Sequence, residues 1–253
     1  MNAKYIGDIG DFGKYLLLAY VARSQKFDNS GKETTDFDLG VNWYLTGNDS
    51  APGGKLIGYL NDPEWRSENC MKPNCEELYL KLKGVVDNPS RAIHSIETGG
   101  MLPRNTIFFG KEVPLKNRRE WFKDSCGVIG KCDLLFLDPD NGLTDRMSGD
   151  GIHKYVTLFE LNLYYHNLNA DIVVYHHATR YKGGLEIFAK EVIGEWLRWI
   201  HPEIKFRVLQ YRKGIARLYI LIDKLGNGLL DKKIDGFLGD INTGLFKELI
   251  TEG

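Results

Sequence analysis

Short apolar runs alternate along the chain with stretches in which apolar residues recur every three or four positions. The runs predict buried strands, because they are rich in β-branched and aromatic residues and are bounded by polar, turn-forming breaks. These predicted strands are residues 39–45, 92–97, 106–109, 133–137 and 171–175. The stretches with the longer period predict helices at residues 15–21, 76–86, 158–168 and 185–200.

The last apolar runs have a different arrangement. Residues 206–211 and 215–222 are joined at Lys213-Gly214, which predicts an antiparallel hairpin. Strands that alternate with helices predict a mostly parallel sheet, so the hairpin adds antiparallel pairing near one edge. The sequence therefore predicts one α/β domain over residues 1–223, doubly wound and Rossmann-like, with a peripheral tail over residues 224–253 packed on it.

The distribution of charge predicts a possible binding surface only in local stretches of the chain. The chain has 33 Lys and Arg residues against 34 Asp and Glu residues, so its whole surface does not predict a polyanionic partner. Basic residues gather in three stretches, which either form a nucleic-acid groove or are ordinary solvated surface. They are Lys116, Arg118, Arg119 and Lys123; Arg180 and Lys182; and Arg207, Arg212, Lys213 and Arg217. No apolar run approaches the roughly 20 residues of a spanning helix, so we expect no membrane association; the oligomeric state is not indicated.

Four cysteines, without a signal peptide, indicate a reducing compartment and a cytoplasmic protein. Structural zinc sites prefer two to four residues between paired cysteines. Cys70 and Cys75 meet this spacing at its limit, whereas Cys126 and Cys132 do not. We therefore expect buried thiols and no metal bound by cysteine.

The sharpest functional signal directly follows the most apolar predicted strand. Asp138, Pro139, Asp140 and Asn141 stand there and lead into Gly142. A carboxylate at the mouth of a strand can accept both hydrogen bonds of an amino group and orient its lone pair. The alternative is that these residues only form a tight turn, in which Asp, Pro, Asn and Gly are common.

A second signal lies in a glycine-rich segment before the first predicted helix. Between Gly7 and Tyr15, the segment carries Asp8, Asp11 and Lys14 among three glycines. Glycines let the backbone approach a ligand closely, and the lysine offers a charge to a carboxylate or phosphate. The segment lacks the Gly-Lys-Ser/Thr of a phosphate-binding P-loop. The alternative is a glycine-rich helix start that is capped by Asp11.

Further polar residues stand at the ends of predicted strands, where sheets of this kind bind ligands. They are Thr46, Asn48, Glu97, His176 and His177. An acid such as Glu97 can accept hydrogen bonds from two ribose hydroxyls. At most one of the two histidines faces the ligand side; it could titrate near neutrality, bind a metal or only satisfy a backbone carbonyl.

Two segments resemble motifs of a known enzyme family. Residues 7–15, Gly-Asp-x-x-Asp-x-x-Lys-Tyr, resemble the Gly-Asn-x-x-Asp-x-x-Lys-His opening of bacterial large-subunit ribosomal-RNA adenine-N6 methyltransferases. Residues 138–141, Asp-Pro-Asp-Asn, resemble their Asp-Pro-Pro-Tyr tetrad, with Asn141 in place of the aromatic that stacks on a flipped base. The three-Cys-motif partner proteins are similar in having a lysine-bearing N-terminal helix and a mid-chain Asp-Pro.

The resemblance implies a class I S-adenosylmethionine-dependent methyltransferase fold. The methionine end of the cofactor would lie against residues 7–15 and the loop that holds Thr46, and its ribose would lie by Glu97. Asp138 and the Pro139 carbonyl would hold the target amine in line with the sulfonium methyl group. Methyl transfer to an amino group of a nucleic-acid base is the activity that it implies.

Two other functions stay open at this point. Asp138, Asp140 and Glu97, which His176 could join, could bind Mg²⁺ or Mn²⁺ and activate water in a nuclease or phosphoester hydrolase. Alternatively, the chain is a non-catalytic partner or nucleotide-binding module that keeps the fold without the chemistry.

Overall fold

The structure is a computed structural model that describes residues 5–27, 33–47, 56–88, 92–178, 181–241 and 244–252. Numbered along the chain, its strands are β1 (Arg23–Phe27), β2 (Glu33–Thr35), β3 (Leu39–Asn42), β4 (Ile107–Phe109), β5 (Leu134–Leu137), β6 (Gly142–Thr144), β7 (Tyr155–Thr157), β8 (Asp171–His177), β9 (Lys205–Tyr211), β10 (Arg217–Asp223) and β11 (Phe246–Glu252). Its helices are α1 (Ile9–Ala22), α2 (Pro63–Asn69), α3 (Pro73–Asp87), α4 (Ile93–Thr98), α5 (Arg118–Ile129), α6 (Leu158–Asn167), α7 (Leu185–Ile187), α8 (Gly194–Ile200) and α9 (Leu229–Asp240). A π-helical segment, Phe188–Ile193, joins α7 to α8.

A seven-stranded mixed sheet in the order β11-β9-β10-β8-β5-β3-β4 forms the centre. Strands β8, β5, β3 and β4 are parallel, whereas β10, β9 and β11 each pair antiparallel with their neighbours. The predicted α/β class, with a parallel centre and an antiparallel hairpin, is confirmed. Residues 224–253 contain α9 and also β11, which extends the sheet beyond that hairpin.

The sheet separates two apolar clusters because successive strand residues point to opposite sides. On one side, which we call the first face, Phe136 of β5 and Tyr175 of β8 pack with residues of α1, α3 and α9. On the second face, Leu137 of β5 and Val174 of β8 pack with residues of α5, α6 and α8. Both sides of the parallel strands are therefore buried, as their continuous apolar sequences require.

Two predicted elements differ in the structure. The predicted strand at residues 92–97 is the helix α4, in which Ile93 and Ile96 are three residues apart and only Ile96 is buried. This is helical spacing, and it outweighs the apparent alternation of so short a run. The first helix begins at Ile9, earlier than residue 15, because the Asp8 side chain caps it by accepting hydrogen bonds from two backbone N–H groups.

The described helices contain none that combines the length and the apolar character needed to cross a bilayer. The predicted amphipathic helix at residues 185–200 forms as α7, the π-helical segment and α8 in succession.

Candidate functional site

The carboxyl ends of β3 and β5 mark the point where the connections of the sheet diverge. From β3 the chain continues to β4 on one side, and it then returns to form β5 and β8 on the other side. Open α/β sheets bind ligands in the crevice at such a point. Asp138 directly follows β5, and its backbone N–H donates to the Asn42 carbonyl at the end of β3 (2.9 Å). Asp138 therefore lies where the topology favours a ligand.

The N-terminal helix brings a lysine to this carboxylate. Lys14 Nζ lies 2.8 Å from Asp138 Oδ2 and 2.8 Å from Asp11 Oδ1. The other oxygen of Asp11 accepts a hydrogen bond from the Gly7 backbone N–H (2.9 Å). All three charged residues are at most 5 % exposed. We call Asp11, Lys14 and Asp138 the ion cluster; it joins the two segments that the sequence singles out.

The charges of the ion cluster depend on one another because burial penalises each of them. Burial alone would lower the pKa of Lys14, but the carboxylates of Asp11 and Asp138 outweigh this effect and raise that pKa well above its ordinary value. Burial raises the pKa of Asp138, and the Lys14 ammonium opposes that rise. Lys14 is therefore an ammonium ion at neutral pH, unsuited to act as a general base or a nucleophile.

A second buried ion pair holds the start of α1. Arg217, the first residue of β10, places Nη2 3.0 Å from Asp8 Oδ2. The other oxygen of Asp8 accepts hydrogen bonds from the N–H groups of Gly10 (2.8 Å) and Asp11 (2.9 Å). The guanidinium lies so close to Gly10 that a Cβ there would clash with Nε. Arg217 thus fixes the helix start from which Asp11 and Lys14 project.

Tyrosine rings lie around the Lys14 ammonium. Its Nζ is 5.6 Å from the ring centroid of Tyr15 and 5.6 Å from that of Tyr175. Rings at this distance attract a cation. The Tyr15 hydroxyl is buried, and no described residue forms a hydrogen bond with it. Two carboxylates and two rings therefore form an environment that stabilises a positive charge.

The residues that follow Asp138 connect the site to neighbouring loops. Asp140 Oδ2 accepts a hydrogen bond from Thr46 Oγ1 (2.5 Å), which joins the loops after β3 and β5. The Asn141 carbonyl accepts the backbone N–H of His177 (3.2 Å), so the turn runs beside the end of β8. Pro139 is buried between these contacts. The backbone bends at Asp140 and Asn141, and the tetrad places Asp138 in the ion cluster.

Glu97 does not end a strand and does not join the ion cluster. It belongs to α4, and its Oε1 accepts a hydrogen bond from Trp43 Nε1 (3.0 Å). A Cβ added to Gly110, just after β4, would lie 3.9 Å from the same oxygen. Glu97 therefore reaches the carboxyl edge of the sheet from a helix; its role beside a ribose stays a prediction.

The two histidines end β8 on opposite faces. His176 Nδ1 accepts the Leu143 backbone N–H (3.1 Å), which assigns the ring proton of the neutral form to Nε2. Burial, together with the neighbouring His177, lowers the pKa of His176 to about 4. His177 lies opposite Arg217 in the sheet, and burial and that guanidinium lower its pKa as well. His176 is therefore neutral at physiological pH and has a structural partner.

The loop after β3 contains a strained residue that the sequence did not indicate. Tyr44 has a φ of +43° and a fully buried side chain. Its backbone N–H donates to Asn42 Oδ1 (3.0 Å), and its ring packs edge-on against Trp121. Such backbone strain costs about 1–3 kcal/mol and clusters at ligand sites. The strain marks this loop, at the divergence point, as part of the site.

The carboxylates of the predicted metal site have separate partners. Asp138 binds Lys14, Asp140 accepts from Thr46, and Glu97 accepts from the Trp43 indole. Over the described ranges, no group of three or more His, Cys, Asp or Glu residues is arranged to hold a metal ion.

The described cysteine thiols are free, and those of Cys70, Cys75 and Cys132 are buried. Burial raises their pKa values to about 12, 11 and 12, respectively. These thiols therefore behave as small apolar groups, as expected from their spacing.

Several residues of the predicted basic stretches serve internal ion pairs. Arg118 contacts Glu160 (2.6 Å) and Arg207 contacts Glu248 (2.6 Å), in addition to the pairing of Arg217 with Asp8. These arginines are not available to a nucleic acid. The members that remain exposed are Lys116, Arg119, Lys123, Lys182 and Arg212. Arg180, like Asn48, lies outside the described residues.

A cleft of about 700 Å³ lies apart from the ion cluster, on the first face between α1, α3 and α9. Two of its lysines pair with acids of the same cleft: Lys81 contacts Glu77, and Lys233 contacts Asp36 (both 2.5 Å). The cleft therefore presents mostly compensated charge.

Comparison with known protein families, curated proteins and solved structures gives no match to this chain.

Proposed function

We propose that the chain binds S-adenosylmethionine at the carboxyl ends of β3 and β5 and transfers the methyl group to an amino group of a nucleic-acid base. The position of Asp138 at the divergence point of the sheet, in contact with Lys14 of α1, carries this proposal. A doubly wound, Rossmann-like methyltransferase architecture is part of it. Helices on both faces of the parallel strands support that architecture.

The charge environment supports a cationic ligand. Asp11, Asp138 and the rings of Tyr15 and Tyr175 together stabilise the Lys14 ammonium. A sulfonium ion carries the same charge, and acidic and aromatic groups favour it for the same reasons. Two carboxylates against the single Lys14 ammonium leave the ion cluster with a net negative charge, which would attract the sulfonium of the proposed cofactor.

The proposed methyl transfer requires mainly that the protein position the target amine against the methyl group. Bound S-adenosylmethionine would supply a methyl group: an N–C bond forms as the S–C bond breaks, and sulfur keeps the electron pair. Asp138 would accept hydrogen bonds from the target amine and then take the proton that the nitrogen loses. Because Lys14 already donates to Asp138 Oδ2, the amine would share the carboxylate with Lys14 or replace it there.

Calorimetric titration and thermal unfolding with S-adenosylmethionine test the proposal. A ligand at 100 times its Kd should add about 2.7 kcal/mol to the free energy of unfolding. Transfer of a labelled methyl group to oligonucleotides should be lost in Asp138→Asn, which keeps the side-chain shape and removes the charge. Asp171→Asn is the matched control, because Asp171 is equally buried but begins β8 at the opposite edge of the sheet.

Two results would refute the proposal: no effect of S-adenosylmethionine on the wild-type protein, or equal turnover in Asp138→Asn and Asp171→Asn. The hydrolase alternative instead predicts stabilisation by Mn²⁺ that Asp140→Asn abolishes. The non-catalytic alternative predicts nucleotide binding without turnover.

A further inference from the structure

Three rings form a continuous array at the carboxyl end of β8. The His176 ring centroid lies 5.4 Å from that of Phe188, and the Tyr181 centroid lies 5.3 Å from Phe188 on the way to the surface. Phe188 is only 6 % exposed, whereas Tyr181 is 39 % exposed. The array therefore ends in a supported ring that offers part of its surface to solvent.

Tyr181 lies at the same edge of the sheet as Asp138. Strand β8 ends at His177, and the next backbone N–H, of Ala178, donates to the Ala216 carbonyl just before β10 (3.2 Å). Tyr181 follows three residues later. The turn between β9 and β10 also lies at this edge, because β9 runs in the same direction as β8.

Three cationic residues lie next to Tyr181 in sequence or at the same edge of the sheet. Lys182 is adjacent to Tyr181 in sequence, and Arg212 and Lys213 belong to the β9–β10 turn. Lys182 and Arg212 are exposed and Lys213 is partly exposed. In the part of the chain that the structure describes, none of the three has an ion-pair partner, unlike Arg207 and Arg217 nearby.

The backbone behind the array is fixed in an uncommon conformation. The π-helical segment begins at Phe188, and its residues Phe188, Ala189 and Ile193 are buried. Single π-helical turns within helices occur frequently at functional sites. A ring held in advance by such a support loses little conformational entropy when a ligand stacks on it.

We propose that Tyr181 is a stacking platform for a base of single-stranded nucleic acid, whose phosphates contact Lys182, Arg212 and Lys213. An exposed ring beside unpaired cations is the combination that recognises single strands, since every base has a π-face and every phosphate a charge. The inference rests on the proposed function, for which it supplies the aromatic surface that Asn141 lacks. It places the target strand across the carboxyl end of β8, beside the turn that holds Asp138.

Fluorescence anisotropy with labelled DNA and RNA oligonucleotides of mixed sequence, in the absence of S-adenosylmethionine, tests the platform. Tyr181→Ala should raise the Kd about 5- to 150-fold, whereas Tyr181→Phe, which keeps the ring, should stay near wild type. Trp199→Ala is the matched control: Trp199 is 62 % exposed on α8, at the opposite edge of the sheet. The DNA and RNA arms identify which strand is bound.

The inference is overturned if the wild-type protein binds neither oligonucleotide, or if Tyr181→Ala binds as tightly as Trp199→Ala. It is equally overturned if Tyr181→Phe loses as much affinity as Tyr181→Ala, since the hydroxyl rather than the ring would then matter. Calorimetry with S-adenosylmethionine alone reports separately on the proposed function. Oligonucleotide binding that depends on the ring, without cofactor binding, would refute the methyltransferase and leave the platform standing.

Discussion

His176 should make the protein sensitive to acid. Burial lowers its pKa from about 6.5 to about 4 in the folded state, so between these values the unfolded chain binds more protons than the folded one. The contribution of neutral His176 to the free energy of unfolding is therefore complete above pH 6.5 and is lost as the pH falls toward 4. A shift of about 2.5 units corresponds to about 3.4 kcal/mol in total, and about 2 kcal/mol of this should be lost by pH 5.

The wild-type profile alone does not isolate this effect, because Asp171 acts in the opposite direction. Burial raises the pKa of Asp171 to about 7, so the folded state keeps a proton that the unfolded chain has lost. Its contribution increases as the pH falls from 7 toward 4 and offsets that of His176. The two effects have to be separated by mutation.

His176→Asn provides the separation. The Asn Oδ1 can replace His176 Nδ1 as the acceptor for the Leu143 N–H, but the amide does not titrate. Urea unfolding followed by circular dichroism at pH 8, 7, 6 and 5 gives the free energy of unfolding of both proteins. The advantage of wild type over His176→Asn should shrink by about 2 kcal/mol between pH 8 and pH 5. An advantage that stays constant over this range would show that His176 is not held neutral by burial.

Three further substitutions probe the site. Lys14→Met should cost about 3–5 kcal/mol in urea unfolding, because it leaves Asp138 buried without its cation; a loss below 1 kcal/mol would contradict the importance of the pair. Gly10→Ala should lower the free energy of unfolding by about 1–3 kcal/mol, because its methyl group forces the Arg217 guanidinium away. In a protein that already carries Arg217→Ala, the same substitution should cost little; fully additive losses in the double mutant would disprove this contact. Glu97→Gln should cost about 1 kcal/mol in unfolding yet weaken S-adenosylmethionine binding by calorimetry; unchanged affinity would remove Glu97 from the proposed site.

Some elements were predictable because their patterns are local. The apolar run that forms β5, the pair of runs joined at Lys213-Gly214 and the helical spacing in α3 each contain enough information to predict the element. Asp138 was identified as a candidate for the same reason, since an acid directly after a buried strand must lie at its mouth.

Other features had no reliable local signal. Residues 92–97 are too few to distinguish alternation from helical spacing, so α4 was predicted as a strand and Glu97 as its end. The positive φ of Tyr44 is unfavourable for its residue type and exists only because the surrounding core holds it. The ion pairs that occupy Arg118, Arg207 and Arg217 also join distant segments, so the basic stretches seemed more accessible than they are.

The sequence by itself determined most elements, the α/β class and the chemical groups that stand at the strand ends. Only the tertiary structure decided which groups meet: Lys14 with Asp138, Asp8 with Arg217 and Thr46 with Asp140. Local patterns arise from neighbours within a few residues, whereas these contacts depend on strand order, which follows from burying both faces of one sheet. That strand order brings α1 against β5 and β10. Charged residues that are far apart in the sequence therefore form ion pairs in the folded protein.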